Sequence, residues 1–150
     1  MTLKPTDLPQ GDRRPVLVTG ITLPVRPPQT VRDVERVAAR ILAANGLYQG
    51  DLLPDPFNRV LTTAHSERPM SIVAALNCAA TRDPHLPSDL SKAAIAALAH
   101  RLLVNGLEPY AEDELALAWH VDSWGDVEGR TTESAVAVLE AAADACGVAA

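Results

Sequence analysis

The chain has 150 residues, 47% of them apolar and 3% aromatic, with a formal net charge of −6. That length suits one domain around one hydrophobic core. The acidic balance excludes a general nucleic-acid binder, because neutralising phosphates takes Lys and Arg, and no run reaches the ~18 consecutive apolar residues that a membrane span needs.

The charge is unevenly placed. Residues 105–150 carry ten acids and a single base, Arg130, whereas residues 1–104 carry nine acids and twelve bases. An acidic C-terminal third either meets a basic partner or forms a solvated face that keeps an Ala-rich chain in solution. The apolar residues are mainly Ala, Val and Leu, whose small side chains favour helix packed on helix. Cys78 and Cys146 lie far apart in helix-like runs without a C-x-x-C. The N-terminus has no signal-peptide core, since Asp7, Asp12, Arg13 and Arg14 interrupt it. A reduced, cytoplasmic protein without a disulfide is the simplest expectation.

Residues 1–29 hold six of the twelve prolines, which excludes a continuous helix there. The β-branched run Val16–Val25 reads as a short strand or an extended arm. The chain therefore divides into an arm, 1–29, and a helical domain, 30–150. The first helix starts at an N-cap, Thr30, with Asp33 three residues on, and ends at Gly46. Val31, Val34, Val37, Ala38, Ile41 and Leu42 mark its apolar face.

Residues 47–68 read as a loop with a short β-hairpin over Tyr48–Leu53 and Val60–Thr63. A second helix, Pro69–Thr81, is apolar almost all round, which predicts burial in the middle of a bundle. Ser88 caps a third over 89–104 with Leu90, Ile95, Leu98, Leu102 and Leu103 packed, and Gly106 closes it. A fourth spans Glu112–Asp122. A turn at Trp124–Arg130 leads to the last helix, capped by Thr131 or Thr132, packed through Val136, Leu139, Ala142 and Ala143, and ended by Gly147. The fold class is all-α: a compact bundle of about five helices with a Pro-rich arm. The repeated Asn-Gly, at Asn45-Gly46 and Asn105-Gly106, is either an ordinary helix ending used twice or the trace of a duplication.

Three stretches resemble the domain of unknown function numbered 6197, a family common in actinobacteria. Its members carry a W-C-Q-G turn after a helix, then a C-A-x-G-A-L-x-x-A helix, then W-N-D-x-x-G-R-T before a last helix. The corresponding stretches here are Leu47-Tyr48-Gln49-Gly50, Ser71–Ala79, and Trp124-Gly125-Asp126-Val127-Glu128-Gly129-Arg130-Thr131, in the same order over about residues 31–146. Tyr48 and Ser71 stand where the family has cysteines, and Gly125 replaces its Asn. The resemblance implies a compact helical domain and no activity.

No catalytic constellation appears. There is no G-x-S-x-G elbow and no Gly-rich phosphate loop. The four histidines, His65, His85, His100 and His120, lack H-x-x-x-H or H-E-x-x-H spacing, so neither a metal nor another cofactor is expected. Trp119, His120 and Trp124 concentrate large rings with polar tips, which fill core volume or, with Tyr48, line a small-molecule pocket. In the turn, Asp126 is expected to accept local backbone N–H groups. Arg130, the only base among ten acids, is expected to pair with Asp126 or Asp122. The candidate ligand-binding residues are thus Tyr48, Trp119, His120, Trp124, Asp126 and Arg130.

Two functional readings follow. The first is a non-enzymatic protein-interaction or regulatory module, a homodimer included, using the arm or the acidic third. The second is a small-molecule-binding or enzymatic helical domain with a pocket near Trp119 and Trp124. Lack of a convergent nucleophile, base or metal set favours the first. Chelator and reductant are expected to leave the melting temperature unchanged; a fall of several degrees with either would reveal a structural metal or disulfide.

Overall fold

The computed structural model describes residues 26–50 and 64–149. Of the arm expected over residues 1–29, residues 1–25 lie outside the described residues, as does most of the hairpin expected over Tyr48–Leu53 and Val60–Thr63. Among the described residues there are five α-helices: α1 Val31–Asn45, α2 Ile72–Thr81, α3 Asp89–Ala99, α4 Glu114–Gly125 and α5 Thr132–Ala149. A short 3-10 turn, His65–Glu67, precedes α2.

The bundle is organised around α2, whose residues 72–79 are all buried. α1 packs against α5, α2 and α3, while α4 packs against α3 and α2. The large core side chains are Ile41, Leu42, Met70, Ile72, Leu76, Leu98 and Leu139, each fully buried. Between them lie Ala38, Ala74, Ala75, Ala94, Ala99, Ala135 and Ala142, also buried. Alanine at these crossings lets backbones approach closely, which explains a compact core built with few aromatics.

Local chemistry sets the helix starts. Thr30 accepts the Asp33 N–H, Ser71 the Ala74 N–H, Asp113 the Ala116 N–H and Thr131 the Ser134 N–H. Ser88 and Ser91 form a reciprocal capping box on α3. Four helices start or end elsewhere than the sequence expectation. α2 starts at its Ser71 cap, with Pro69 outside it. α4 starts after the Asp113 cap and runs on through Trp124 and Gly125, which places the tryptophan in a helix and not in the turn. Gly147 lies inside α5 and does not end it.

The fourth difference is the end of α3. It stops at Ala99, and Asn105-Gly106 forms a two-residue turn closed by reciprocal hydrogen bonds between Val104 and Leu107. Both central residues have positive φ, 52° and 78°, the type I′ geometry that Asn-Gly favours. Leu103, expected in the core, is consequently 54% exposed. Gly46, by contrast, ends α1 through its N–H on the Leu42 carbonyl. The two Asn-Gly pairs thus do different work. Of the hairpin residues that are described, Tyr48–Gly50, none is in a strand; the pairing beside them is a parallel bridge between Leu47 and Met70.

One polar group sits deep in the bundle. Glu35 on α1 is fully buried, its Oε1 accepts the Cys146 thiol at 3.6 Å, and its Oε2 has no partner. Burial pushes its pKa up, more than the thiol bond and the charge of Arg101 pull it down. Folding therefore takes up a proton here, so the stability linked to this carboxyl is greatest at acid pH and is lost as pH rises through its titration. Glu35→Gln should match the parent in acid and melt progressively higher than the parent as pH rises. A difference independent of pH would show that Glu35 does not titrate.

Candidate functional site

After α1, Gly46 turns the chain and residues 47–50 run across the ends of three helices. The Leu47 N–H donates to Thr132 Oγ1 at the start of α5. The Tyr48 N–H donates to the Met70 carbonyl, and the Met70 N–H to the Gly46 carbonyl. Gln49 Nε2 donates to the carbonyls of Gly125 and Val127 at 2.8 and 3.1 Å. The Gly50 N–H donates to Asp126 Oδ1 at 2.9 Å. A segment without secondary structure is thus saturated with hydrogen bonds to α4, α5 and the residue before Ser71.

The N-terminus of α2 is closed from α4. Asp122 Oδ1 accepts the Val73 N–H at 3.0 Å, and the Ser71 hydroxyl bonds the same carboxylate. An anion at a helix N-terminus also meets the positive end of the helix dipole. Burial nevertheless pushes the Asp122 pKa up to about 6; the bonds from Val73 and Ser71 oppose this, and neighbouring Asp126 reinforces it. Next to this contact, a Cβ on Gly125 would stand 3.4 Å from Ile72 Cδ1, so a small residue lets α4 lie close on α2.

Beside this junction lies a cleft of about 610 Å³. Leu115, Trp119 and Asp122 of α4 and Asp126, its C-cap, line one side, at helical steps that put them on one face. Val104 and Asn105 of the tight turn line another, and Gly50, Val73 and Val127 form the end next to the junction. The two ends differ in character: Leu115 and Trp119 are 76% and 67% exposed, whereas half-buried Asp122 and exposed Asp126 both hold backbone N–H groups.

The candidate residues from the sequence separate accordingly. Trp119 and Asp126 line the cleft; Tyr48, His120, Trp124 and Arg130 do not. Trp124 is buried, with the Arg130 guanidinium 3.7 Å from its ring centroid and Arg130 Nε donating to its carbonyl. Arg130 therefore has an aromatic partner and not the carboxylate expected, because Asp126 turns to Gly50 and Asp122 to α2. His120 is buried with Nε2 2.7 Å from the Leu102 carbonyl, which ties the α3–α4 connection to α4. Tyr48 is half-buried. Asp122 and Leu115 were missed; the spacing of 115, 119, 122 and 126 is the signal that groups them. Among the described residues no group of three or more His, Cys, Asp or Glu is placed to hold a metal ion.

The model of a family of unknown function, DUF6197, matches residues 26–145. The chain belongs to the DUF6197 family. No curated protein and no solved structure matches it. The three stretches that carry the DUF6197 resemblance converge on this junction: 47–50, the start of α2, and 124–131 are joined by the bonds described above. Tyr48 donates its N–H to the carbonyl of Met70, the residue before the Ser71 cap of α2.

Because Asp126 and Arg130 have separate partners, their contributions should be close to additive, unlike a mutual ion pair. Asp126→Ala should cost about 1 kcal/mol for the lost Gly50 bond, and Arg130→Ala about 1–2 kcal/mol for the lost bond and ring contact. Chemical denaturation of the two single variants and the double variant checks this. A double variant much less destabilised than the sum would restore a direct pair.

Proposed function

We propose that the chain is a non-enzymatic interaction module that meets a protein partner through the α4 cleft and its exposed rim. The observation that supports this is Trp119, an indole 67% exposed one helical turn from Leu115, itself 76% exposed. Single exposed apolar residues are ordinary on a protein surface. Here they gather: Leu103, Leu107 and Tyr110, in the same connection as the cleft residues Val104 and Asn105, are 54%, 68% and 74% exposed. Tryptophan and tyrosine are favoured at the energetic centres of interfaces.

The titratable groups of the cleft are Asp122 and Asp126, and both hold backbone N–H groups. That scaffolding duty favours binding over turnover. The cleft volume also falls within the range of small-molecule sites, which supports a ligand pocket beside Trp119 as the second reading; the apolar rim outside the cleft favours the protein partner. Residues 1–29 are read as an arm outside the helical unit 30–150, suited to self-association. Free Cys78 and Cys146 suit a reducing compartment, the cytoplasm.

Trp119→Ala should melt within about 0.5 kcal/mol of the parent, as surface substitutions do. A photo-crosslinker at position 115 should give a discrete protein adduct in cells that Trp119→Ala abolishes. An adduct indifferent to Trp119, or none, would count against the protein-docking reading, and a strongly lowered stability would show Trp119 to be structural.

A further inference from the structure

Resting on that reading, we propose that the cleft recognises its partner by an arginine side chain, seated between Asp122 and Asp126 with its guanidinium plane against Trp119. The first support is charge. Most acids near α4 are already neutralised or engaged: Glu114 pairs with Lys92, Glu112 with His100, and Asp113 caps α4. On α5, Glu140 and Asp144 pair with Arg36. Among the described residues no base pairs with Asp122 or Asp126, and the single base of the acidic third, Arg130, is committed to Trp124. The cleft therefore presents two carboxylates that hold backbone N–H groups but pair with no base among the described residues.

The second support is shape. Asp122 and Asp126 are four residues apart on one helix, so their carboxylates are neighbours, and Trp119 lies three residues before Asp122 on the same face. Both carboxylates use Oδ1 for a backbone N–H, which fixes their orientation before any partner arrives. A guanidinium is planar, stacks on an indole and donates in a fork, whereas an ammonium is a strongly hydrated point charge without a face to stack. The fold contains this pairing already: Arg130 lies over Trp124 and donates to that residue's carbonyl. Trp119 offers the same ring one helical turn away with its face in solvent. The exposed Leu115 and the apolar side chains Val73 and Val104 suit the aliphatic residues that flank such an arginine.

The test uses the full chain and two capped peptides of alternating leucine and arginine or leucine and citrulline, which is nearly isosteric and uncharged. Indole N–H resonances report separately on Trp119 and Trp124. The arginine peptide should shift the Trp119 signal and leave Trp124 in place, and the citrulline peptide should bind about tenfold more weakly or worse. Asp126→Asn and Asp122→Asn retain an acceptor for Gly50 and Val73, so the fold should persist while the preference for arginine falls. Equal binding of both peptides at Trp119 would overturn the arginine proposal and leave the docking face standing. Binding of the arginine peptide without a Trp119 shift would overturn it as mere attraction to the acidic surface. Binding of neither peptide would overturn the arginine proposal, and crosslinking at position 115 would then decide separately whether the face docks a protein.

Discussion

α2 is buried over residues 72–79, so its first N–H groups have no water to turn to. An unpaired N–H there would cost on the order of 1–3 kcal/mol. Ser71 satisfies one, at Ala74; a carboxylate from another helix, Asp122, satisfies another, at Val73. Much of the remaining architecture answers to that contact. It fixes α4 against α2, and it leaves the chain after α1 a place to bind at Asp126 and at the Gly125 and Val127 carbonyls.

The contact has an electrostatic cost. Burial, helped by the charge of Asp126, pushes the Asp122 pKa up to about 6 against the opposing bonds from Val73 and Ser71. A nearby base would remove that cost, and among the described residues none pairs with this carboxylate. Arg130, the nearest base in sequence, stacks on Trp124 instead. A half-buried carboxylate that pairs with no base, beside an exposed indole, is what the proposed recognition of a cation rests on.

α4 thus has two jobs on two faces. Leu117, Val121 and Trp124 are buried, and His120 reaches back to the Leu102 carbonyl; this face builds the bundle. Leu115, Trp119, Asp122 and Asp126 form the other, which opens on the cleft. The same tight turn that ends in Leu107 supplies a cleft wall through Val104 and Asn105, so the I′ geometry of Asn105-Gly106 shapes the site as well as the connection.

The amino-acid sequence by itself determined the helical class, the count of five helices, the burial of α2 and most caps, because these follow from local periodicity and from Ser, Thr and Asp next to orphan N–H groups. It also held the DUF6197 pattern. Only the tertiary structure decided which side chains meet. Trp119 and Trp124 look equivalent in the sequence; one is exposed and one is buried, since five positions on a 3.6-residue helix separate them by more than a full turn and rotate them apart. Asp126 and Arg130 are close in the chain, yet each took a partner defined by packing, Gly50 from 76 residues away and the face of Trp124. Asn-Gly closed a helix at 46 and made a hairpin turn at 105–106, a choice set by what lay beyond each pair. Asp122 carried no local sign of its role, because the N–H group it satisfies lies 49 residues earlier, on a helix that only the folded bundle brings to it.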